Sequence, residues 1–277
     1  MDRLEALKSI AAQAGRGELT FPTNVDATLR LQRALSDPGC HVDDAARLVM
    51  AEPLLAARTV AMANSAAYNR AGSDVTNVRA AVQRVGFRTL GALAASVIVR
   101  QLASEISDPL IRARADTLWQ HSAHVAALAQ VIARRVSRVD PETAMFAGIV
   151  HEVGGFYALS RAAEFPGLLD GPAGEWIEHG EVPVGRAVLR KLGVPAPVMG
   201  AIEALWNGMR ALPPETLGDT LLLANDLAPV PSPLQEAPGA TSAQAAMTID
   251  FSTGQGTLAR VLEESAEEVQ SLVNALL

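Results

Sequence analysis

The sequence predicts an all-α protein, and three observations carry that prediction. Of the 277 residues, 49% are hydrophobic and only 4% aromatic, so the core is built mainly from Ala, Leu and Val, which suit closely approaching helices. Helix start and stop signals recur at short intervals along the chain. No segment alternates apolar and polar residues as a half-buried strand does.

The elements follow in order. Residues 1–18 read as an N-terminal helical extension. Asn24 is placed to cap a helix whose Val25, Leu29 and Leu35 share a face, and Asp37-Pro38-Gly39 stops it. Asp43 is expected to cap the next helix, and a third runs from Pro53 to Met62 before the polar turn Asn64-Ser65. A fourth follows Thr76, with Val78, Ala81, Val82 and Val85 spaced i, i+3, i+4, i+7, and Gly86 closes it. Thr89 to Ile106 is apolar nearly all round, as a central core helix would be, and Asp108-Pro109 parts it from a long helix holding Trp119, His121 and His124. Asp140-Pro141-Glu142 combines a capping carboxylate, a proline at the first helical position and an acid at the positive end of the dipole. The helix it opens is expected to carry His151.

After Ser160 the chain loosens through Gly167, Gly171, Pro172 and Gly174, then resumes as short helices around Val188–Leu192, Val198–Met209 and Leu217–Leu227. Residues 229–256, rich in Pro, Ser, Ala, Gly and Gln, are expected to form a flexible linker. Over 257–277 the residues Leu258, Val261, Leu262, Val269, Leu272, Val273 and Leu276 form one stripe, with Glu263, Glu264, Glu267 and Glu268 elsewhere. Such an amphipathic helix folds back on the body, or docks a partner or a second copy of the chain.

Composition excludes several function classes. The net charge is −7, with 23 basic residues scattered among 30 acidic ones, which argues against a nucleic-acid surface. The lone cysteine, Cys40, cannot form an internal disulfide and follows a turn, so it reads as an ordinary thiol in a reducing compartment. Met1-Asp2-Arg3-Leu4-Glu5 lacks a signal pattern, and no run approaches the roughly 18 consecutive apolar residues of a membrane span. A cytoplasmic protein without a membrane partner is expected. There is no Gly-rich phosphate loop, no nucleophile elbow and no paired cysteine.

One candidate site remains. His121 and His124 lie three apart on one helix and His151-Glu152 on another, so a pocket between facing helices could collect a divalent metal on His121, His151 and Glu152. A catalytic metal needs at least three protein ligands and an open position, and a helix would turn Glu152 about 100° from His151. The alternative is a pair of hydrogen-bonded, half-buried rings. No catalytic residue is assigned and no other cofactor is expected. Gly154-Gly155 either permits a close helix approach or relaxes a helix end.

Several segments resemble one family, the HDOD domains of bacterial signalling proteins, relatives of the HD metal-dependent phosphohydrolases. Leu19-Thr20-Phe21-Pro22 resembles that family's entry motif, Glu52-Pro53-Leu54-Leu55-Ala56-Ala57-Arg58 its D-P-x-L-A-x-R segment, and Ala63-Asn64-Ser65-Ala66-Ala67-Tyr68 its A-N-S-A-x-Y signature. Thr76 to Val82 with Val85-Gly86 resembles its I-x-S-I-x-x-A-I and L-G segment. Trp119-Gln120-His121-Ser122 and Ala147-Gly148-Ile149-Val150-His151-Glu152-Val153-Gly154 are similar to its W-x-H-S and A-G-L-L-H-D-I-G motifs. The resemblance covers residues 19–228. It implies an N-terminal helical subdomain over 19–115 packed on a degenerate HD-like half over 116–228.

Departures from the HD pattern accompany it. Glu152 stands for an Asp, Glu181 for a His, Leu205-Trp206 for a His-His pair and Asn225 for the terminal Asp, with Asp226 one residue out of step. The resemblance implies a non-catalytic regulatory module that binds a protein partner or a small ligand. The alternatives are a weak metal-dependent phosphohydrolase or cyclic-nucleotide phosphodiesterase working through His121, His151 and Glu152, and a helical scaffold that forms a homodimer through its C-terminal helix.

Overall fold

The computed structural model describes residues 2–19, 25–35, 37–104, 106–165, 167–168, 171, 173–208, 211–235 and 257–277. Asn24 and most of the entry motif, residues 20–22, fall outside them. Every regular element among the described residues is a helix. These are α1 (Arg3–Gly15), α2 (Val25–Leu35), α3 (Val42–Met50), α4 (Pro53–Ala63), α5 (Val78–Ser104), α6 (Pro109–Ile132), α7 (Pro141–Val150), α8 (Val153–Ser160), α9 (Ala173–Trp176), α10 (Val182–Lys191), α11 (Ala196–Asn207), α12 (Leu217–Leu227), α13 (Thr257–Glu264) and α14 (Ala266–Leu276). Wider π-helical turns over Ala133–Ser137 and Ile177–Glu181 extend α6 and lead from α9 into α10.

Local chemistry sets the boundaries. The Asp108 carboxylate accepts the N–H groups of Leu110 and Ile111 at the start of α6, and Asp140 accepts the N–H and the hydroxyl of Thr143 at the start of α7. Thr216 and Asp219 form a reciprocal capping box on α12. The expectation for Asp43 fails: His41 takes the N-cap position of α3, and Asp43 lies in the first turn with its carboxylate paired to Arg79. Gly86 interrupts α5 with φ 77° and ψ 167°, a conformation that favours glycine, so the two expected helices meet there at a kink.

The N-terminal half packs α2, α3 and α4 around α5. Signature residues of this half act as staples rather than as chemistry. The Asn64 amide brackets Val75 through its backbone N–H and carbonyl, while the Tyr68 hydroxyl meets Thr89 at 2.9 Å and accepts from Gln130 of α6 at 2.9 Å. The second half packs α7 and α12 on α6, α10 on α8, and α11 on α12, and α5 joins the halves by crossing α7 and α8. Helix α1 docks on α10, fixed by Arg3 to Glu175 and to the Leu168 carbonyl. By length and composition α5 could cross a membrane, yet Arg79, Arg84, Arg88 and Arg100 leave it no run of about 18 consecutive apolar residues, and most of its apolar stretch is buried by the surrounding helices.

Two further expectations are corrected. Residues 229–235 are folded against the second half, with Ser232 and Leu234 buried; the remainder of the expected linker, 236–256, lies outside the described residues. The C-terminal stripe is borne by two helices broken at Ser265, whose φ of −105° and ψ of 3° are not helical. Leu272, Val273 and Leu276 of α14 are buried against α4 and α6 of the same chain, where Arg134 pairs with Glu268 and Arg135 with Glu264.

Candidate functional site

Small residues bring the site together. A Cβ on Gly148 would stand 2.5 Å from the Ala126 Cα, and one on Gly154 2.7 Å from the Gly185 Cα. Only glycine allows α7 to lie this close to α6, and α8 to α10. Helix α7 ends at Val150, so His151 is its C-cap rather than an interior residue. Glu152 then leaves helical geometry (φ −98°, ψ 14°) before α8 begins. The 100° separation expected on a continuous helix therefore does not apply, and His121, His151 and Glu152 converge with potential ligand atoms within 4.8 Å of one another.

Both imidazoles are oriented by backbone. His151 Nδ1 donates to the Gly148 carbonyl at 2.7 Å, and His121 Nδ1 donates to the Val230 carbonyl at 2.8 Å. A carbonyl can only accept, so each Nδ1 carries the proton and each neutral ring presents a lone pair at Nε2. The two Nε2 atoms face each other at 3.3 Å. Burial, with His121 nearby, lowers the His151 pKa to about 3, and burial lowers that of His121. Neither ring readily takes the proton that would relieve the opposed lone pairs.

Oxygen acceptors complete the cluster. Glu152 is buried, its Ser232-bonded carboxyl retains an Oε1 with no donor among the described residues, and its pKa is raised to about 8 by burial and by the Glu181 carboxylate. The Asn225 side chain lies within hydrogen-bonding reach of His121, and its Oδ1 likewise lacks a donor. Opposed nitrogen lone pairs beside orphaned oxygens form a cluster of acceptors that either the proton held on Glu152 or a cation among them would satisfy. Two bonds of 2.0–2.1 Å at a tetrahedral angle span about 3.3–3.4 Å, which matches the Nε2 separation. The donor set fits one divalent ion.

Of the sequence candidates, His124 stands apart, bonded to the Gln120 carbonyl of its own helix. Glu181, counted as a lost ligand, is buried beside Glu152, and its own pKa is raised by burial. Trp206 fills the space over Gly185, with the Arg186 guanidinium 6.0 Å from its ring. Sequence reasoning missed Val230, Ser232 and Gln235, whose proline-rich surroundings read as linker. Two open pockets lie elsewhere, one of about 380 Å³ between Leu35, Phe87, Phe146 and Val198 and another of about 450 Å³ at Ser107, Ile111 and Phe165.

Comparison with known proteins bears on this site and on the fold. Residues 21–170 match the HDOD domain family model, and residues 118–231 match the HD domain model. No curated protein matches. A solved structure from Shewanella amazonensis, provisionally named a metal-dependent phosphohydrolase, is 22% identical, with 100% of each chain covered and a TM-score of 0.77. An HDOD domain protein of unknown function from Geobacter sulfurreducens is 22% identical, with 99% of each chain covered and a TM-score of 0.67. A protein from Marinobacter aquaeolei, provisionally named a signal transduction protein, is 19% identical, covering 99% of this chain and 66% of its own, with a TM-score of 0.61.

Proposed function

The chain belongs to the HDOD domain family, and from that premise we propose that it is a regulatory signal-transduction module that acts by binding a protein partner and turns over no substrate. One observation carries this reading. His121, His151, Glu152 and Glu181 are only 2, 4, 3 and 8% exposed, so in this arrangement of the chain a phosphoester does not reach the Nε2 atoms or an ion held by them. A catalytic metal site keeps a position open to water and substrate. The provisional signalling name of the Marinobacter structure agrees with this role.

A second reading, a metal-dependent phosphohydrolase, is favoured by the 3.3 Å spacing of the Nε2 atoms and by the orphaned oxygens of Glu152 and Asn225. There His121, His151, Glu152 and Asn225 would hold the ion, which would supply an activated water and charge stabilisation at a phosphoryl group. Elemental analysis of the purified protein, with a screen of phosphomonoesters, phosphodiesters and cyclic nucleotides in Mn²⁺ and Mg²⁺, separates the readings. The regulatory reading expects no hydrolysis above the protein-free rate, whether or not metal is present. Near-stoichiometric metal together with hydrolysis abolished in His151→Ala would overturn it.

A further inference from the structure

After α12 the chain crosses the site as Pro229-Val230-Pro231-Ser232-Pro233-Leu234-Gln235. Val230, Ser232 and Leu234 alternate with the prolines, and Gln235 ends the segment. The Val230 carbonyl holds His121, the Ser232 hydroxyl bonds the Glu152 carboxyl, and the Gln235 amide donates to Glu181 Oε1 at 3.3 Å. Leu234 is buried with a methyl in the space a Gly155 Cβ would occupy, next to Leu118. The pattern suits a stiff cover. Each proline fixes its own φ, so ordering this segment costs less entropy than ordering a flexible loop.

We propose that residues 229–235 are a hinged cover over the pocket of His121, His151, Glu152 and Asn225: closed, it shuts the pocket, and loosened, it admits a bare divalent cation. The inference deepens the regulatory reading, on which it rests for its sense. Ion entry is then governed by how often the cover lifts, and Leu234 in its Gly155 socket is the latch. While shut, the Val230 carbonyl keeps the proton on His121 Nδ1, so the site is already in its ion-accepting tautomer when the cover opens.

The full-length chain in EDTA is treated with diethyl pyrocarbonate, and labelling of each histidine is resolved by mass spectrometry, with the half-buried His124 and His179 as internal references. The cover requires His121 and His151 to label at least about tenfold slower than the references in the unaltered chain, and Leu234→Ala to raise both rates by about tenfold with the references unchanged. Pro231→Gly with Pro233→Gly, which loosens the segment while keeping Val230, Ser232, Leu234 and Gln235, is expected to do the same; circular dichroism melts verify that each variant is folded. In a second arm, Co²⁺ alone is added and its visible absorption followed. Uptake, and loss to EDTA, should both quicken in the variants by the same factor as labelling, with the final spectrum unchanged. The proposal is overturned if His121 and His151 label at the reference rates in the unaltered chain, if folded variants leave them protected, or if Co²⁺ does not bind. None of these readouts depends on hydrolysis or on a partner: folded variants that leave the histidines protected overturn the cover and leave the regulatory reading standing, histidines that label at the reference rates in the unaltered chain remove the burial on which both rest, and turnover in the hydrolysis screen overturns the regulatory reading alone.

Discussion

Burial pushes His151 down to about 3 and its neighbour Glu152 up to about 8, so adjoining residues bend the pH dependence of stability in opposite directions. Below about 6.5 the unfolded chain protonates His151 and the folded chain does not, so stability falls with decreasing pH until about 3. Above about 4.5 the unfolded chain releases the Glu152 proton and the folded chain keeps it, so stability falls with increasing pH until about 8. Between roughly 4.5 and 6.5 the two slopes oppose each other, with the lowered His121 adding to the His151 slope and the raised Glu181 to that of Glu152. From about pH 6.5 to 8 the carboxyl slope remains, so stability declines as pH rises. Urea denaturation in EDTA across pH 5 to 8 is expected to show that decline in the native chain and a markedly flatter profile in Glu152→Gln. Parallel profiles would mean that Glu152 is ionised in the folded protein.

Helix crossings decide which residues can meet. Because a Gly148 side chain would collide with Ala126 backbone, which cannot swing aside, Gly148→Ala should destabilise by about 1–3 kcal/mol or more and should separate His121 from His151. Gly200 offers the contrast: it lies exposed in α11 with nothing near its absent Cβ, so Gly200→Ala should be neutral or stabilise by about 0.4–1 kcal/mol. Chemical denaturation of both variants measures the difference; equal effects would show that the α6–α7 crossing tolerates a methyl group. The helix break between His151 and Glu152 belongs to the same scale. Residues 147–154 contain no proline or capping side chain to announce it, and the Gly154-Gly155 pair that follows is equally consistent with packing. The break follows from α8 turning aside to cross α10 at Gly185, a contact 31 residues away in sequence.

At the scale of the whole molecule, α14 lies on α4 and α6, and α13 leads into it with Glu264 paired to Arg135. Leu272 and Leu276 are fully buried there, and the Arg58 guanidinium donates to the Leu277 carbonyl. If these helices are an integral part of the core, Leu272→Ala and Leu276→Ala should each cost about 2–5 kcal/mol in global unfolding, with one cooperative transition by circular dichroism and by tryptophan fluorescence. A cost near zero would instead describe an arm that rests loosely on the surface and is available to a partner or a second copy.

The sequence by itself determined the helical class, the starts of α6 and α7, the fold-back stripe at the C-terminus, the family, and the pair His151-Glu152 with His121 opposite. All of these are written in residues close together in the chain, through caps, the 3.6-residue period and short motifs. Tertiary structure alone decided that Glu152 turns toward the two imidazoles, that Glu181 supplies a buried carboxylate beside it, and that the proline-rich stretch after α12 closes over them. Contacts such as Val230 with His121, 109 residues apart, have no local signature. A proline that marks a loop to a reader of sequence equally well stiffens a cover, and only the packing around it separates the two.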